Sequence, residues 1–99
     1  MNNETFGDYI KKARETMQLP LRKVAAHLDI DTSTLSKVER GERPASPDYL
    51  KPLADILQLD LKEVQSKFIA DKINKDFGDM EHLTDGLKAA EQQIKKKKK

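Results

Sequence analysis

Apolar residues along this chain recur at helical rather than alternating spacing. Phe6, Ile10, Ala13 and Met17 stand four, three and four apart, on one face of a helix. Thr5 is placed to cap that helix, with Asp8 completing a capping box. Leu19 and Pro20 close it. Leu21, Val24, Ala25 and Leu28 then mark the face of a second helix, and residues 29–31 form a turn. Asp31 is expected to cap the next helix by accepting N–H groups near Ser33 and Thr34. In that third helix Leu35 and Val38 face inward, while Thr32, Ser33, Ser36 and Lys37 are left outside. The pattern alone suits a small surface helix of a bundle as well as one that enters a DNA major groove.

The breaker-rich residues 41–47 follow. Leu50, Leu53, Ala54 and Leu57 predict a fourth helix, starting at Leu50 or Lys51 because Pro52 is excluded from a helix interior. Asp60 opens a fifth, with Leu61, Val64, Phe68 and Ile69 turned inward. Beyond it Ile69, Ile73, Met80, Leu83, Leu87, Ala90 and Ile94 take a and d slots of a heptad, with Asp76 on one slot. Gly78 and Gly86 weaken helix there by about 1 kcal/mol each relative to alanine. Such a seam serves either a helix folded back on its own domain or a dimer contact. Of these the dimer element is the reading adopted, carried by Ile73, Met80, Leu83, Leu87 and Ile94. Residues 95–99 are all lysine, of low complexity and expected to be disordered.

Composition narrows the function. The 99 residues are 36% hydrophobic and 36% charged, with no apolar run long enough to span a bilayer. Without cysteine there is no disulfide framework and no thiolate metal site, which is compatible with the cytoplasm. The net charge of +2 hides an asymmetry, because the terminal lysines alone contribute five positive charges. Residues 1–44 carry 8 basic and 7 acidic side chains, and residues 45–94 carry 6 and 10. Any attraction to phosphate must therefore come from local placement. His27 and His82 lie in no metal-ligand spacing, and no phosphate loop or nucleophile elbow is present. No catalytic residue, cofactor or metal is expected, and the chain is not read as an enzyme.

The run VAAHLDIDTSTLSKVERGERPAS, with RETM before it and LADIL after it, resembles the Cro and phage-repressor (XRE-type) helix-turn-helix family over residues 6–68. The resemblance implies an all-α fold, a five-helix helix-turn-helix domain over residues 1–68, to which the apolar pattern adds a helical extension over 69–94 and the composition the lysine tail over 95–99. It implies that Thr32, Ser33, Ser36 and Lys37 meet base edges and that Arg22, Lys23, Arg40, Arg43 and Ser46 meet phosphates. Family members commonly carry glutamine where Leu21 stands, so Arg22 or Lys23 must replace that phosphate contact. They commonly carry glycine where Asp29 stands, at a left-handed turn residue that aspartate tolerates. Arg14 and Glu39 match a partly buried salt bridge with a structural role. The function implied is sequence-specific double-stranded DNA binding by a homodimeric repressor of a palindromic operator, with a restriction–modification controller and an antitoxin-like autorepressor as variants. The alternative is a protein-interaction module that uses the extension and binds DNA weakly or not at all.

Overall fold

The computed structural model describes residues 4–98, which are helical without any strand. The helices are α1 (Phe6–Thr16), α2 (Leu21–His27), α3 (Thr32–Glu39), α4 (Leu50–Leu57), α5 (Leu61–Phe77) and α6 (Leu83–Lys97), with one 3-10 turn at Pro47–Tyr49. Residues 1–3 of the expected domain and Lys99 of the tail lie outside the described residues.

The five most deeply buried large side chains come one from each of the first five helices: Ile10, Val24, Leu35, Leu53 and Val64. A short helix has little stability in isolation, so each element here is held mainly by the apolar face it contributes to this shared centre. α1 packs on α3, α4 and α5, while α2 packs on α3 and α4. Aromatic contacts fasten α5 to α1. The Phe6 and Phe68 rings meet edge to face at 5.5 Å, and the Tyr9 hydroxyl donates to Glu63 Oε1 at 2.7 Å. Burial, together with that donation to a carboxylate, pushes the Tyr9 phenol well above its ordinary pKa.

The helix starts follow the capping chemistry with one exception. Thr5 and Asp8 form the expected reciprocal capping box, and Asp60 accepts the Lys62 N–H. Asp31 occupies the N-cap position of α3, but its side chain makes no cap hydrogen bond. Pro52 falls in the first turn of α4, where a missing N–H breaks no helical bond.

The ends of α1, α2, α3 and α4 share one device. Gln18, Asp29, Gly41 and Gln58 all adopt left-handed backbone, with φ of 57°, 59°, 76° and 55°. After each, the next N–H bonds back five residues: Leu19 to Arg14, Ile30 to Ala25, Glu42 to Lys37 and Leu59 to Ala54, at 2.9–3.1 Å. Leu19, Ile30 and Leu59 then pack against the core, as the accompanying hydrophobic contact requires.

The C-terminal part departs from expectation in four ways. α5 runs without a break through the boundary drawn after Phe68, because residues 69–77 contain nothing that stops a helix. Ile69 is 54% exposed rather than inward, since the core is already closed by Val64 and Phe68. The heptad is interrupted at residues 78–82, so its apolar positions are divided between two helices, and Met80 sits in the turn. The lysine run is also helical as far as Lys97, where cations complement the negative end of the helix. α6 has no extensive packing against any other helix.

Candidate nucleic-acid interface

α2 and α3 make the most intimate helix pair in the molecule. Val24 and Ala25 of the first, Leu28 at its C-cap, and Leu35 and Val38 of the second are buried. The tight residues between them follow from the left-handed Asp29 and the closing bond from Ile30 N to Ala25 O at 3.0 Å. Thus α3 is secured by its inner face alone. Thr32, Ser33 and Lys37 are exposed on its outer face.

One polar anchor completes the inner face. Glu39 is only 6% exposed, and its two oxygens accept from Arg14 Nε and Nη2 at 2.8 and 3.0 Å. Arg14 Nη1 also donates to the Leu19 carbonyl oxygen at 3.0 Å, so the guanidinium joins α1, α3 and the turn after α1. The paired carboxylate raises the Arg14 pKa further and keeps the group charged. This is the structural pair expected from the sequence. Beside it Gly7 brings α1 against the end of α3, where a Cβ would collide with the carbonyl oxygens of Val38 and Glu39. The sequence reading missed Gly7, although a glycine in the first turn of a helical pattern is a signal of close backbone approach.

The other expected contacts divide into free and engaged groups. Arg22 and Lys23 are exposed on the first turn of α2, and Arg43 is exposed in the loop after α3. Arg40 is exposed but engaged: Nε and Nη2 donate to the Glu42 carboxylate at 2.9 and 3.2 Å, and Nη1 donates to the Ser36 hydroxyl. Ser36 is accordingly half-buried and less available than Thr32, Ser33 or Lys37. The hydrogen bond from Arg40 holds the Glu42 carboxyl below the usual range. Glu42 had no role in the sequence reading, because a pair two residues apart is not a regular helical contact. Ser46 is half-buried, and its hydroxyl accepts the Asp48 N–H to cap the 3-10 turn. That bond occupies an acceptor lone pair of the hydroxyl and leaves its O–H free to donate.

Among the described residues no group of three or more acidic, histidine or cysteine side chains is placed to hold a metal, and no helix is long and apolar enough to cross a membrane. A pair of short packed helices, the second anchored only from within and polar without, defines a helix-turn-helix protein. The helix-turn-helix family matches residues 10–64, more than half of the chain, and the protein belongs to that family, of the XRE type that includes Cro and the phage repressors. It is a DNA-binding transcription regulator of that type, in a family that is not enzymatic. No curated protein gives a significant match.

Proposed function

We propose that the protein is a homodimeric, sequence-specific repressor acting in the cytoplasm on a palindromic double-stranded operator. The observation that carries this reading is the division of α3 into a buried inner edge and an exposed face of Thr32, Ser33 and Lys37. In the proposed complex Lys37 donates to guanine O6 and N7, and the Thr32 methyl meets a thymine methyl. Arg22, Lys23 and Arg43 hold phosphates without reading sequence. A recognition helix of eight residues reads only a few base pairs, so two copies about 34 Å apart are needed for a specific site. Ile73, Met80, Leu83, Leu87 and Ile94 are proposed to join the copies.

A second reading has support of its own. The near-neutral motif half and the apolar surface left open on the extension suit a module that binds a protein partner instead of DNA. Repeated gel-shift selection from random duplexes separates the two. Enrichment of an inverted repeat supports the repressor, and failure to enrich any sequence at low salt overturns it.

A further inference from the structure

The turn between α5 and α6 opens into an apolar cleft of about 570 Å³, lined chiefly by Phe77, Met80, Leu83, Leu87 and Ala90, with Glu81 also contributing. Met80 is 64% exposed and Phe77 47%, so nothing among the described residues fills it. The apolar stripe of α6 continues past the cleft to Ile94, which is 53% exposed. Leu83, Leu87, Ala90 and Ile94 lie at i, i+4, i+7 and i+11, a single face of the helix. One end of α6 therefore carries a hollow and the other a projecting isoleucine.

Charge is divided along the same axis. Asp76, Asp79, Glu81 and Asp85 surround the turn, whereas α6 ends in consecutive lysines. Lys96, Lys97 and Lys98 take part in none of the ion pairs among the described residues. Two copies laid side by side in the same direction would set lysines against lysines and carboxylates against carboxylates. Laid head to tail they pair opposite charges at both ends and oppose their helix dipoles.

We propose that a second copy of this chain docks antiparallel along α6, so that Ile94 of each copy enters the other's cleft beside the acidic turn. Leu83 then faces Ile94, Leu87 faces Ala90, and the two-fold axis passes between Leu87 and Ala90. This rests on the homodimer proposed above and specifies its geometry.

The absence of cysteine makes a direct test available in the full-length chain. In the antiparallel pair the two Ile94 positions are separated by about 16 Å along the axis, too far for a disulfide. Ile94→Cys alone should stay uncross-linked under oxidation, while a mixture with Leu83→Cys should yield the mixed disulfide dimer. Reversing Lys95, Lys96, Lys97 and Lys98 to glutamate should weaken self-association by more than about tenfold. Adding Asp79→Lys, Glu81→Lys and Asp85→Lys to that variant should restore it. Efficient self-linking of Ile94→Cys, or a dimer indifferent to the charge reversals, overturns the antiparallel arrangement while leaving a homodimer standing. Sedimentation of the unmodified protein as a monomer at high micromolar concentration removes both.

Discussion

Replacing Glu39 with alanine should destabilise the domain severely while leaving its outer face untouched. Glu39 accepts two charge-assisted bonds from Arg14 at 2.8 and 3.0 Å, and Arg14 is only 13% exposed. Removing the carboxylate leaves a guanidinium with its Leu19 carbonyl contact alone, and an uncompensated buried charge costs about 3–5 kcal/mol. Against the ~5–15 kcal/mol stability of ordinary small domains this is a large share. With about 4–8 °C of midpoint per kcal/mol at this size, the melting temperature should fall by more than about 10 °C. The matched control is Lys72→Ala, which removes an exposed pair with Asp76 at 3.6 Å and should cost about 0.5 kcal/mol or less. Arg14→Met with Glu39→Met should recover most of the loss, since an apolar pair of similar size has no charge to strand. Circular dichroism melts with urea titrations decide it. A Glu39→Ala midpoint no lower than that of Lys72→Ala refutes the reasoning.

Three further outcomes are expected. Gly7→Ala should destabilise by about 1–3 kcal/mol or more in the same melts, because the added Cβ meets backbone oxygens that cannot rotate away. Lys37→Ala should cost about 1–3 kcal/mol on the selected operator and relax one position per half-site, while Arg43→Ala should weaken specific and random DNA alike in gel-shift titrations. Glu42→Gln should strengthen DNA binding and steepen its salt dependence by freeing Arg40 for a phosphate; unchanged binding would mean that Arg40 lies off the DNA path.

The fold was legible where a residue type matched its local task. The five apolar faces, the Thr5–Asp8 box and the delayed start of α4 at Pro52 all follow from spacing and proline chemistry. Two of the four left-handed helix ends were not, because glutamine at positions 18 and 58 gives no turn signal; each is held there by the bond closing behind it and by a following leucine. The interrupted heptad misled for a related reason. Periodicity records which faces are apolar but not whether the backbone joining them is continuous, and residues 78–82 break it. At the candidate site, the Arg14–Glu39 pair could be read from the family resemblance, and the exposure of Thr32, Ser33 and Lys37 from the polar pattern. The engagement of Arg40 by Glu42 and of Ser46 by its own turn depends on rotamers and loop geometry that no spacing encodes.

These placements separate the residues that hold one short helix in the fold from those proposed to read DNA. α3 is fixed by Leu35, Val38 and the Glu39 anchor, all turned toward the core, so Thr32, Ser33 and Lys37 have no buried contact to maintain. In the proposed complex, substitutions there change which bases are read with little cost to folding, because exposed positions away from special features shift stability by only about 0.5 kcal/mol. The same economy of contacts leaves few cations to hold DNA: Arg40 is occupied, and the motif half carries nearly as many acidic as basic residues. A single domain of this kind should grip phosphate weakly. In the proposed dimer, joining two half-sites turns the second binding step into an intramolecular one, so affinity comes from linkage instead of added charge. Weak single-domain contacts also favour specificity, since a random duplex offers phosphates to both domains but matched base edges to neither.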